Sequence, residues 1–297
     1  MGVFMICELT LPKFLAEANL KVNSLNRIGA GDDSEVYLCN EEYIIKVPKR
    51  ENVNRAQEKE FALYDFLSRC NLPFETPKPI LSGENFKVTT YIKGQHLSYD
   101  DYQSLSEKER DLLAMDEANF LKALHSISID LRNPLFKGRV QDKKQEYLKD
   151  KEKLANTLRE MNLLNDKVKE LISSIYSKLF SCDFLFNYSP CLVHNDFSSR
   201  NMVFNNNRLV GVIDFGDFLI GDPDNDFLCL LDNSTDDFGK EFGRKVLKFY
   251  GHPQPQLAEK KAEINDSYWP IQQIILGDER DDSEMLKMGI KELLAIK

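Results

Sequence analysis

The chain reads as α+β in two lobes, a small antiparallel-sheet lobe over residues 1–93 and a larger, mostly helical lobe over 94–297. Three observations predict this division. Short apolar, β-branched runs separated by glycine turns fill the first segment, whereas from Ser98 onward apolar residues recur at helical spacing. Between the two, Pro73, Pro77 and Pro79 break the chain, and an extended run ending at Gly94 offers a natural hinge.

The first lobe opens as strand, glycine turn, strand. From Gly29 to Val36 the chain follows the spacing G-x-G-x-x-G-x-V, with Ser34 in place of the third glycine, so the backbone can come close to phosphate oxygens while Ser34 adds a hydroxyl. Alone, this reads better as a hairpin turn with no ligand. Tyr43 to Val47 then forms an apolar strand carrying one lysine, Lys46, placed as a clamp for the α- and β-phosphates of a nucleotide. Arg55 to Cys70 is helical by period, with Phe61, Tyr64 and Leu67 on one stripe. Glu60 borders that stripe and is preferred over Glu58 as the partner of Lys46. Phe86 to Gly94 is extended, and the backbone groups of Thr90, Tyr91 and Ile92 are candidates to hold a purine. The threonines there leave room for adenine or guanine, so use of either ATP or GTP is expected.

In the second lobe, Ser106 and Glu109 are spaced as a capping box that opens a helix through Leu113, Phe120, Leu121 and Leu124. His125 ends that apolar stripe as a core histidine. A helical insertion at about 135–182 follows, two long helices with Leu148, Leu154, Leu158, Leu171, Ile175 and Leu179 as their buried line. Further helices are expected over Phe227 to Leu231, Phe238 to Tyr250, Leu257 to Ile275 and Leu286 to Ile296. Asp222 and Asp226 are read as N-caps and as anchors for the loop at Asp196.

The chemistry concentrates in His194-Asn195-Asp196-Phe197-Ser198-Ser199-Arg200-Asn201 and in Asp214-Phe215-Gly216, a spacing of H-x-D-x-x-x-x-N followed by D-F-G. The intervening residues form a hairpin pattern that pairs Phe204 with Leu209. The count sets Asn201 opposite Val212 and makes Asp214 its diagonal neighbour, at roughly 7–8 Å between backbones. Two hard oxygen donors at that separation suit Mg²⁺, which keeps several waters and leans on substrate phosphates. Asp196 stays free to accept or orient a hydroxyl proton.

Composition narrows the partners. The net charge of −9 argues against nucleic acid, and no run approaches the roughly 18 apolar residues of a membrane span. Six scattered cysteines and four histidines show neither a disulfide framework nor zinc spacing, and the N-terminus lacks a leader pattern, so a cytoplasmic setting is expected. Between Asp214 and Glu241 nine acids face a single base, Lys240, which puts nearly the whole imbalance beside the expected site. Such a surface concentrates cations.

Taken together, Gly-Asp-Asp-Ser at 31–34, Lys-Val-Pro-Lys at 46–49, His-Asn-Asp-Phe-Ser at 194–198, Ile-Asp-Phe-Gly-Asp at 213–217 and Gly-Asp-Pro-Asp-Asn-Asp-Phe at 221–227 resemble the aminoglycoside phosphotransferases, specifically the 2″-phosphotransferases. The likeness covers essentially the whole chain. It implies a protein-kinase-like two-lobe fold and transfer of the γ-phosphoryl of ATP or GTP, with Mg²⁺, to the 2″-hydroxyl of gentamicin, tobramycin or kanamycin, giving antibiotic resistance. By position, Asp196 resembles the catalytic base, Asn201 and Asp214 the metal ligands, and Lys46 with Glu60 the phosphate-clamping pair. Asp217, Asp236, Asp237, Asp266 and Trp269 resemble drug-binding residues. The departure lies at Asp236 and Asp237, where some relatives carry Glu.

Two rival readings remain open on the residues. A kinase for choline, homoserine or a sugar would share the catalytic pattern, and a silent nucleotide-binding module would share the fold. A protein kinase fits less well, because no long segment ending in A-P-E follows Gly216.

Overall fold

The computed structural model describes residues 11–30, 34–232 and 237–296. Helix α1 (Leu11–Glu17) leads into β1 (Leu25–Ala30), β2 (Ser34–Cys39) and β3 (Tyr43–Pro48), then helix α2 (Glu51–Leu67), β4 (Pro79–Gly83) and β5 (Phe86–Thr90). The five strands form one antiparallel sheet in the order β1-β2-β3-β5-β4. Alternation decides its faces. Tyr37, Cys39, Ile45, Val47 and Val88 pack with Leu11 and Leu15 of α1 on one side. Lys46, lying between Ile45 and Val47, is thereby turned to the other.

The second lobe continues with α3 (Tyr99–Ser104), α4 (Glu107–His125), α5 (Lys143–Glu160), α6 (Asp166–Phe180), β6 (Cys191–Val193), β7 (Met202–Asn205), β8 (Arg208–Val212), β9 (Leu219–Gly221), α7 (Lys240–Tyr250), α8 (Pro255–Glu279) and α9 (Ser283–Ala295). Full capping boxes open α3, at Ser98 with Asp101, and α4, at Ser106 with Glu109. One apolar core gathers α4, α7 and the β7–β8 hairpin around Phe120, Phe197, Phe204 and Phe215, and it also takes in Leu63, Tyr64 and Leu67 of α2. Burying a Leu or Phe side chain contributes roughly 1.5–3 kcal/mol, so these residues fasten α2 to the larger lobe. A separate core joins α5 and α6 to α8 and α9 through Leu154, Ile172, Tyr176, Ile271 and Leu293.

Several expectations are corrected. Helix α2 begins a turn earlier than the Arg55 start read from periodicity, and α1 was not foreseen. Strand β4 starts at Pro79, a residue read as a breaker. It lies at the sheet edge, where a missing N–H costs no ladder bond. Leu148 is 42% exposed rather than buried. The helix expected over Phe227 to Leu231 is two short 3₁₀ turns, Pro223–Phe227 and Cys229–Leu231. Gly94 is no free hinge, for a Cβ there would lie 2.5 Å from the Phe204 carbonyl oxygen. Its neighbour Gln95 exchanges both backbone hydrogen bonds with Phe204 at 2.8 Å, and Glu75 is bonded to Val210 and Val212 at 2.9 Å. The connections flanking β4 and β5 are therefore laced to the β7–β8 hairpin. Among the described residues, no helix is long and apolar enough to cross a membrane.

Candidate active site

The loop carrying Asp196 is fixed from beneath. The Asp226 carboxylate accepts the backbone N–H groups of His194 at 2.9 Å and Asn195 at 2.6 Å, and Asn195 can hold its left-handed φ of 67° because its side-chain oxygen also accepts from Asn225. His125 supports the back of Asp226 at 3.0 Å and meets Tyr250 at 2.9 Å, as a core histidine should. Asp222 caps the following 3₁₀ turn and pairs with Lys143 and Lys261, while Asp224 pairs with Lys261 and His252. The anchoring role read for Asp222 and Asp226 is therefore realised through a buried ionic network. His194 Nδ1 lies 3.3 Å from the Asp196 N–H and its Nε2 lies 2.9 Å from the Ile213 carbonyl, which assigns the ring proton to Nε2.

Asp196 is less free than expected. The Asn201 amide nitrogen donates to its carboxylate and to its carbonyl, both at 2.8 Å. This fixes the amide of Asn201 and leaves the amide oxygen for a hard cation.

The hairpin count also needs correction. Asn206 and Asn207 are both left-handed and close a two-residue turn, pairing Asn205 with Arg208 and, as expected, Phe204 with Leu209. A bulge at Val210 then shifts the register, so that Asn201 stands opposite Ile213, whose N–H it accepts at 2.8 Å. Asp214 is thus the next residue along rather than a diagonal neighbour, and a left-handed φ of 63° redirects its side chain.

Asp214 Oδ1 meets Lys46 Nζ at 3.1 Å, and Lys46 also donates to both carboxylate oxygens of the buried Glu60, at 3.0 and 3.2 Å. Burial works against the Lys46 charge, but Glu60 and Asp214 outweigh it and raise its pKa. In return the Lys46 ammonium holds the Asp214 carboxyl below its ordinary value, ionised and ready for a cation. Two fixed oxygen donors, one anionic, match a cation that completes its shell with phosphates and water. The residues present fit Mg²⁺. Asp217 lies near both Asp196 and Asp214, and burial together with those two carboxylates raises its pKa.

Other expected residues fall as follows. Ser34, at the start of β2, has its hydroxyl engaged by Gln57 of α2 at 2.6 Å. The N–H groups of Thr90 and Tyr91 are taken by the Lys78 and Glu42 carbonyls, which leaves Ile92 as the one of the three with no backbone partner among the described residues. Asp237 is 4% exposed, and its carboxylate accepts the Ser199 N–H at 3.1 Å instead of facing outward as an expected drug contact. Burial pushes it up to about 7. Asp266 and Trp269 stand one turn apart on the surface of α8, where burial and the Asp232 carboxylate push Asp266 up to about 6. Asp236 lies outside the described residues. Sequence reasoning treated Tyr64 only as an apolar stripe residue, although its hydroxyl touches both Glu60 and Asp214, and an amphipathic residue one turn after the clamping glutamate was the available signal.

This geometry defines a nucleotide-dependent phosphotransferase. The sequence profile of the phosphotransferase enzyme family, APH, matches residues 24–261, and the chain belongs to that family. Among solved structures, it is similar at 52% identity to APH(2″)-IIa in complex with gentamicin, with a TM-score of 0.95 over 100% of this chain and 98% of that one. It is likewise 52% identical to ADP-bound APH(2″)-Ib, with a TM-score of 0.92 over 98% and 97% of the two chains. A GDP and kanamycin complex of APH(2″)-IIia, at 23% identity, shares the fold with a TM-score of 0.81 over 97% and 98%.

Proposed function

We propose that this chain phosphorylates the 2″-hydroxyl of aminoglycosides of the gentamicin, kanamycin and tobramycin type with ATP or GTP, and so confers resistance to them. The observation that carries this reading is the pair of hydrogen-bonded groups, Lys46 with Glu60 and Asp214 and Asn201 with Asp196, joined through the Asn201–Ile213 backbone bond, on a chain similar along its whole length to APH(2″)-IIa solved with gentamicin. Residues 1–93 act as the nucleotide lobe and 94–297 as the catalytic and substrate lobe. The cytoplasm, where the donor nucleotide is abundant, is the working compartment.

Asp196 orients the drug hydroxyl and takes its proton as the oxygen attacks the γ-phosphorus. The bond from that phosphorus to the β–γ bridging oxygen breaks, and the nucleoside diphosphate leaves. Lys46, held by Glu60, binds the α- and β-phosphates, and Ser34 and the backbone from Thr90 to Ile92 line the nucleotide side. Asn201 and Asp214 would hold Mg²⁺, which supplies charge neutralisation at the phosphates when bound. Asp217, Asp266 and Trp269 receive the polycationic drug, together with Asp236.

Incubation with ATP or GTP and each drug, read by mass spectrometry and by NMR of the product, tests the proposal. One added phosphoryl group at the 2″ position is expected. Transfer to choline or homoserine, with none to the drugs, would overturn it.

A further inference from the structure

Tyr64 belongs to no catalytic motif, yet it joins groups that do. It stands one helical turn after Glu60 on α2, is 3% exposed, and sets its ring edge-on to Phe215 with centroids 5.9 Å apart. Its Oη donates to Glu60 Oε1 at 2.6 Å and accepts the backbone N–H of Asp214 at 3.0 Å. Lys46 closes the circuit, with Nζ 3.0 Å from Glu60 and 3.1 Å from the Asp214 carboxylate. Asp214 is thus gripped at both ends, its backbone by Tyr64 and its side chain by Lys46, and both grips run back to Glu60.

Packing alone does not require the hydroxyl, since a phenylalanine would fill the same space. What the hydroxyl adds is a fixed partner for the N–H of a residue whose left-handed φ of 63° is costly for a non-glycine. The oxygen gives its one proton to Glu60 and offers a lone pair to the Asp214 N–H.

We infer that the Tyr64 hydroxyl is a positioning group for the phosphoryl transfer: it holds the Asp214 backbone so that the carboxylate is presented to Mg²⁺, and it makes that presentation depend on Glu60 being in place. The inference rests on Asp214 acting as a metal ligand, as proposed above. The test is Tyr64→Phe, which keeps the ring. Nucleotide affinity is measured by calorimetry with and without Mg²⁺, beside kcat, drug KM and the Mg²⁺ concentration for half-maximal turnover. Without Mg²⁺, affinity should equal that of the wild type. The gain in affinity on adding Mg²⁺ should shrink about tenfold, the scale of one orphaned buried N–H, and kcat should fall similarly with drug KM unchanged. An unchanged Mg²⁺ increment and kcat, whatever the melting temperature, would overturn the inference. If the wild type binds Mg²⁺–nucleotide but modifies no aminoglycoside, the substrate reading fails while the calorimetric comparison still decides the role of Tyr64.

Discussion

At the scale of single residues, hydrogen-bond partners separate chemistry from support. Asp196 is held at one oxygen by Asn201, so Asp196→Asn keeps the shape and loses the base. Turnover should drop by at least ~100-fold with nucleotide affinity nearly intact, read by steady-state kinetics beside nucleotide titration. Asp237 shows the opposite case, a carboxylate spent on the Ser199 N–H. Unfolded, it ionises near its ordinary 3.8, whereas folded it keeps its proton up to about 7. The folded chain therefore binds more protons across that interval, so the stability from this group is present at low pH and is lost as pH rises through about 7. Asp237→Asn still accepts from Ser199 and does not titrate. Its melting temperature relative to the wild type should rise between about pH 5 and about pH 8, and a difference independent of pH would show that the carboxyl is not buried as seen.

At the scale of elements, the β7–β8 hairpin carries the site because its neighbours leave it no freedom. The backbone pairs at Glu75 and Gln95 bind it to the connections flanking β4 and β5, and Gly94 lets those backbones meet. Gly94→Ala should cost ~1–3 kcal/mol by overpacking, measured by denaturant unfolding, since the added carbon meets both the rigid Phe204 carbonyl and the short, branched Val203 side chain at 2.5 Å. On the other side, Lys261 is 6% exposed between Asp222 and Asp224. Lys261→Met would leave those carboxylates without this shared cation and should destabilise by ~3–5 kcal/mol, lowering the melting temperature of the whole second lobe. A loss under 1 kcal/mol by the same measurement would mean that Lys143 and His252 suffice.

At the scale of the whole molecule, the negative charge is placed rather than spread, and part of it is already spent. Asp222, Asp224 and Asp226 are consumed by the network beneath the catalytic loop, so the surface offered to a polycation is smaller than the count of acids suggests. Asp217 and Asp266 remain. Drug KM should rise with ionic strength, because exposed pairs contribute only ~0.2–1 kcal/mol each and are screened. With Asp266 pushed up to about 6, KM should also rise as pH falls through that value, and Asp266→Asn should flatten both dependences while nucleotide KM stays constant. An unaltered salt dependence in the variant would remove Asp266 from the drug surface.

The sequence by itself determined the two-lobe α+β order, the lysine strand, the capping boxes and the catalytic spacing, because each follows from local rules: alternation on a strand, periodicity on a helix, side-chain capping at a terminus. It also selected Glu60 over Glu58, since a residue bordering the apolar stripe of α2 must face the protein. Only the tertiary structure decided the rest. The bulge at Val210 changed the register by one residue, and the left-handed backbone at Asp214 compensated, an outcome no count along two strands can foresee. Asp237 turned inward and Asp226 was tied to His125, contacts spanning 38 and 101 residues that depend on where α4 and the short turn after Asp222 pack. Tyr64 was legible as an apolar stripe residue but not as a link. Its hydroxyl acquires meaning only when an element 150 residues away places a backbone N–H beside it, and such a pairing is set by the packing of two cores rather than by any local preference.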